Sequence, residues 1–133
     1  MATLSSEQKA KLAAAARAVA AKAHAPYSRF HVGAAVLDEQ GRIHSGCNVE
    51  NASYGLTICA ERNAVFQLVA AGGKKVLGVA IYTPTPKPTP PCGACRQVLA
   101  EFAAAAAVVV SSCDGGAALD TTLGALLPHS FSL

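Results

Sequence analysis

Two short stretches, far apart along the chain, constrain it more than any other feature. Residues 57–64 read Thr-Ile-Cys-Ala-Glu-Arg-Asn-Ala and contribute Cys59, Glu61 and Arg62. Residues 91–97 read Pro-Cys-Gly-Ala-Cys-Arg-Gln and contribute Cys92 and Cys95. Either stretch alone is a weak signal. A Cys-x-x-Cys is also a redox pair or half of a structural zinc site. A glutamate opening a helix favours the helix dipole whatever else it does. Together the stretches read as three thiolate ligands for one zinc ion with a carboxyl beside them, so the fold has to bring them to one place.

Composition narrows the setting. A chain of 133 residues is long enough for one domain, residues 1–133, that buries roughly two thirds of its unfolded surface. It is 52% hydrophobic with a mean hydropathy of +0.33, which excludes disorder, although much of that fraction is alanine. No apolar run approaches the ~20 residues of a membrane span. The first residues lack the basic, apolar and cleavage-site pattern of a signal peptide, so the expected location is the cytoplasm. The net charge of +3 comes from scattered basic residues, and aromatics are few. That pattern gives little support for gripping a nucleic-acid backbone, and a small-molecule substrate fits better. Five cysteines, an odd number without a secretion signal, argue for metal binding or catalysis over a disulfide framework.

In order, residues 5–24 read as a helix, with Ser5 and Gln8 at capping-box spacing and an apolar stripe of Leu12, Ala15, Ala16 and Val19. Residues 30–37 and 42–49 read as a hairpin around the turn chemistry of residues 38–41. Residues 50–55 are a polar loop, and residues 56–71 a helix that Gly72 and Gly73 stop. Residues 76–82 form a buried strand. The five prolines of residues 83–91 exclude regular structure there. A helix over 92–105, a strand over 108–111, a Gly-Gly turn and a short helix over 121–127 complete the chain. Helices separating the later strands imply crossovers, hence an α/β layer protein with a mixed sheet.

Both cysteine stretches open helices, where unpaired N–H groups and the positive dipole end lower thiol pKa values. Cys92 and Cys95 share one face of a first turn. Three protein ligands leave a fourth position open, the pattern of a catalytic zinc. Glu61 lies about 200° round the helix from Cys59, a poor fourth ligand but placed to move protons at the open position. Three thiolates and one zinc ion carry a net negative charge, which Arg62, in preference to Arg96, is expected to offset. Cys47 and Cys113 read as small buried apolar residues. His24, His31, His44 and His129 show no ligand spacing and read as surface or satisfied core residues.

Cys59-x-Glu61 with Pro91-Cys92-x-x-Cys95 matches the zinc nucleobase deaminase signature in its all-cysteine form. Three further stretches, 27–35, 46–55 and 126–131, extend the match across most of the chain. The chain thereby resembles the short, homotetrameric branch of the cytidine deaminases. That resemblance implies a three-layer α-β-α sandwich with a central mixed five-stranded sheet. It implies one Zn2+ per subunit on Cys59, Cys92 and Cys95, with Glu61 as catalytic proton shuttle while an activated water attacks C4 of cytidine or 2′-deoxycytidine. It places Phe30 against the pyrimidine, the Ala60 N–H on its O2, and Asn48 and Glu50 on the ribose 3′-hydroxyl. Val49, Asn51 and Ser53 fall in the same substrate-binding stretch. Ala52, Tyr54 and Phe131 are implied to complete sites across the boundaries of a homotetramer. The substrate expected is a free nucleoside, with neither nucleic acid nor membrane as partner. Related deaminases of guanine, adenosine or blasticidin S are the alternatives among enzymes, and a zinc-stabilised binding module is the alternative outside them. The proline density of residues 83–90 departs from the pattern and bears on the wall of the pocket beside the second motif.

Overall fold

The structure, a computed structural model, describes residues 4–133. Helix α1 spans Ser6–Ala20 behind the predicted capping box: Ser5 Oγ accepts from the Gln8 N–H at 3.1 Å and Gln8 Oε1 accepts from the Ser5 N–H at 2.9 Å. It ends at Ala20, short of the predicted residue 24. Beyond it the backbone turns to pair with residues 48–50, His24 N–H to Asn48 O at 3.0 Å and Glu50 N–H to His24 O at 2.7 Å. Strands β1 (Gly33–Asp38) and β2 (Ile43–Cys47) form the predicted antiparallel hairpin. Buried Asp38 organises its turn: Oδ1 accepts from the N–H groups of Gln40 and Arg42, each at 2.9 Å. Oδ2 bonds Arg42 Nε at 2.7 Å and His44 Nε2 at 2.9 Å. Gly41, at φ +80°, supplies the left-handed residue the turn requires.

Helix α2 (Ala60–Ala70), strand β3 (Val76–Tyr82), helix α3 (Gly93–Phe102), strands β4 (Val108–Ser112) and β5 (Ala118–Thr122), and the short helix α4 (Leu123–Leu126) follow. The sheet order is β2-β1-β3-β4-β5, with β3 and β4 parallel and every other pair antiparallel. The mixed sheet and its five strands agree with the expectation. Strand β5 has no counterpart in the residue-by-residue reading. Its exposed residues carry no apolar alternation, and as an edge strand it pairs only with β4.

Strands β1 and β3 are buried on both faces because helices cover both. Ala35, Leu37, Ala80 and Tyr82 pack against Leu12, Ala16 and Ala20 of α1. Ala34, Val36, Val79 and Ile81 face the other way, onto Ala64, Val65 and Leu68 of α2 and Leu99 of α3. This two-residue alternation produces three layers, α1 on one side and α2 with α3 on the other. Helix α2 presses hard on β2: a Cβ on Gly46 would stand 2.4 Å from the Ala64 nitrogen. Cys113 is buried as expected, whereas Cys47 is only half-buried. His44 is satisfied by Asp38, and His24 and His129 are exposed. Among the described residues no helix is long and apolar enough to cross a membrane.

Candidate active site

The two cysteine stretches meet where α2 and α3 begin. Neither helix starts before its cysteine: Cys59 and Cys92 are extended N-cap residues, at φ −70°, ψ 157° and φ −67°, ψ 167°. Cys95 sits in the first turn of α3 and is fully buried. The three sulfurs lie within 4.8 Å of one another, Cys59 Sγ and Cys92 Sγ at 3.9 Å. Ligands held about 2.3 Å from one tetrahedral zinc ion stand about 3.8 Å apart, so the donor set fits zinc in chemistry and spacing. Arg62 Nη2 lies 3.3 Å from Cys59 Sγ. Arg96 turns away to the carbonyls of Pro91, at 2.7 Å, and Leu126, at 2.9 Å. The hydrogen bond from Cys95, then the Arg62 guanidinium, bring the Cys59 thiol down to about 5. Only a thiolate binds metal, so Cys59 is poised as a ligand.

Glu61 is 5% exposed beside this cluster. Burial, with the negative charge of Cys59 adding to it, pushes its carboxyl up to about 7. Glu61 shares with Cys59 and Cys92 a cavity of about 180 Å³ whose walls include Phe30, Val32, Asn48, Ala60 and Ile81. Thr83, Thr89 and Pro90 close its remaining side. A second, more open depression of about 400 Å³ is lined by Tyr27, Ser28, Glu50 and Tyr54, and Thr57 borders both.

The structure thus gathers Phe30, Asn48, Cys59, Ala60, Glu61 and Cys92 around the smaller cavity, with Glu50 and Tyr54 at its neighbour. Asn48 also braces the chain opposite, accepting from the Val32 N–H at 2.9 Å and donating to Phe30 O at 2.7 Å. Val49, Asn51, Ala52, Ser53 and Phe131 line neither space, and Phe131 is 73% exposed on the tail. Val49 instead pairs its backbone with Ile58, and Asn51 Oδ1 caps the Ser53 N–H at 2.9 Å. Thr57, Thr83, Thr89 and Ser28 escape the sequence reading. The proline run before Cys92 was the one signal for Thr83 and Thr89.

A mixed sheet with three cysteine sulfurs at two helix tips and a buried carboxyl beside them fits an α/β zinc-dependent hydrolase. Residues 6–112 match the family model of the cytidine and deoxycytidylate deaminase zinc-binding region, and the chain belongs to that family. The cytidine deaminase of Halalkalibacterium halodurans is 47% identical over 110 residues, covering 83% of each chain. That of Sporosarcina psychrophila is 44% identical over 122 residues, 92% of this chain and 90% of the relative. The crystal structure of cytidine deaminase from Burkholderia pseudomallei superposes with a TM-score of 0.88 at 44% identity, covering 96% of this chain and 100% of that one. The family's zinc-binding region and the sulfur cluster agree on the cofactor, one zinc ion per chain.

Proposed function

We propose that the chain, acting as one domain, hydrolyses cytidine and 2′-deoxycytidine to uridine and 2′-deoxyuridine with release of ammonia, in pyrimidine salvage. The observation that carries this reading is the pairing of spaces. A ring-sized cavity holds the buried Glu61 beside the sulfur cluster, and it adjoins a polar depression holding Glu50. A pyrimidine suits the first and its sugar the second. The relatives named above support this reading, since each is a cytidine deaminase.

In this reading Cys59, Cys92 and Cys95 hold the zinc, which when bound supplies a Lewis acid that lowers the pKa of a water. Glu61 takes a proton from the attacking water and delivers it to N3 of the pyrimidine. Oxygen adds at C4, the C4–N4 bond breaks, and Glu61 passes the second proton to the departing amine, which leaves as ammonia. Phe30 lies against the ring, and the Ala60 N–H, one of the unpaired donors opening α2, meets O2. Asn48 and Glu50 bond the 3′-hydroxyl, with the stretch containing Val49, Asn51 and Ser53 shaping the same side. Arg62 offsets the negative charge of the zinc–thiolate cluster.

The chain acts as a homotetramer in which Ala52, Tyr54 and Phe131 reach a neighbouring subunit's site. The exposed Tyr54, Leu56, Phe66 and Val69 support such an assembly. Light scattering should give four times the chain mass of 13.4 kDa. The activity is tested by following ultraviolet absorbance of the zinc-loaded protein with cytidine, 2′-deoxycytidine, cytosine, adenosine and blasticidin S. Turnover of the first two is expected, and turnover of neither would overturn the proposal.

A further inference from the structure

Glu50 reads in sequence as a solvated loop charge, yet one short segment grips it. Its Oε1 accepts from the Tyr27 N–H at 2.9 Å and the Ser28 N–H at 3.2 Å, and its Oε2 accepts from the Ser28 hydroxyl. Ser28 Oγ in turn accepts from the Phe30 N–H at 3.0 Å. A hydroxyl has one proton and two lone pairs. With its proton on Glu50 and a lone pair on Phe30, the Ser28 hydroxyl is held in one orientation. Arg29, between them, adopts the left-handed φ of +60°, rare for a residue with a Cβ, and its N–H bonds Ala25 O at 2.9 Å. That fold-back lets one side chain meet both neighbours. The Ser28 hydrogen bond, working against partial burial, holds the Glu50 carboxyl below its usual range. Glu50 is therefore an ionised acceptor with lone pairs left on Oε2, facing the open depression.

We propose that Ser28 is a positioning residue for the sugar: its hydroxyl aims the Glu50 carboxylate and ties it to the backbone of Phe30, so that recognition of the sugar 3′-hydroxyl is set by residue 28. The inference rests on the reading of Glu50 as the partner of that hydroxyl. A merely structural serine would affect all substrates alike. A serine that acts through Glu50 affects only those with a 3′-hydroxyl.

Steady-state kinetics with cytidine and 2′,3′-dideoxycytidine separate the two, with zinc content and Tm measured for each variant. Ser28→Ala should raise KM for cytidine roughly tenfold, the scale of one hydrogen bond to a charged group, with kcat little changed and the dideoxy substrate affected far less. Ser28→Thr, which keeps the hydroxyl, should restore most of the loss. In a Glu50→Gln background Ser28→Ala should cost cytidine little more. Equal losses on both substrates, or none on cytidine, would overturn the proposal. If Ser28→Ala does not fold, Ser28→Cys, a similar volume with a weaker donor, should show the same substrate-dependent loss, and an equal loss on both overturns it. A Glu50→Gln substitution that costs cytidine and the dideoxy substrate equally removes the sugar reading, and the role of Ser28 with it, while leaving deamination standing. Absence of turnover by the unsubstituted protein fails the proposed function itself.

Discussion

A carboxyl that is 5% exposed beside a thiolate is costly to keep charged, and Glu61 resolves this by titrating near neutrality. Such a group can both take and return a proton at working pH. Glu61→Gln keeps the shape and removes the proton transfer proposed for Glu61. It should retain zinc and lose about 10²–10⁴ in kcat, and near-normal turnover by that variant would sink the role assigned to Glu61. Cys92→Ala should lose both zinc and activity, which elemental analysis of the purified variant checks, because two sulfurs do not make a stable site with an open position. At this scale the cysteines and Glu61 are legible from residue type and spacing alone. Glu50 is not, because its donors at residues 27 and 28 lie more than twenty positions away and only the folded loop presents them.

Strand ends and helix starts place these side chains, and two elements test how tightly. In the β1–β2 turn, burial raises the Asp38 pKa, but hydrogen bonds from His44, Arg42 and Gln40 outweigh it and hold the carboxyl well below the usual carboxylate range. A carboxyl depressed on folding stabilises the protein above its unfolded pKa of about 3.9, and that contribution disappears as pH falls through the folded value. Asp38→Asn should therefore destabilise by about 1–3 kcal/mol at neutral pH, with the Tm gap from the parent protein narrowing below about pH 4. A gap independent of pH would contradict this account. Further along β2, a methyl group at Gly46 would meet the α2 backbone at Ala64, Asn63 and Ala60. Gly46→Ala should cost about 1–3 kcal/mol by overpacking and, since α2 opens at Cys59, weaken zinc binding in a competition titration. The hairpin, β3 and the stops at Gly72 and the proline run follow from local chemistry. The end of α1 at Ala20 follows from pairing with distant backbone, and the edge strand β5 pairs with β4 across a short turn but carries no apolar alternation to mark it.

Zinc held by Cys59, Cys92 and Cys95 would join α2 to α3, two helices on the same face of the sheet. Ligand bound only to the folded state stabilises it by about 4 kcal/mol at a thousandfold excess over Kd. Chelation should accordingly lower the Tm by several degrees, with zinc restoring it and magnesium not, since thiolates do not suit a hard cation. An unchanged Tm after verified metal removal would show that the sheet alone sets the helix positions. The sequence by itself determined the three-cysteine donor set, the α/β layering and the carboxyl beside it, because residue type and spacing at helix openings are local properties. Only the tertiary structure decided which residues wall the cavity, Thr83 and Thr89 among them, and that Ser28 grips Glu50. Those contacts depend on how segments far apart in the chain pack over the sheet, and packing is fixed by the whole set of layers at once.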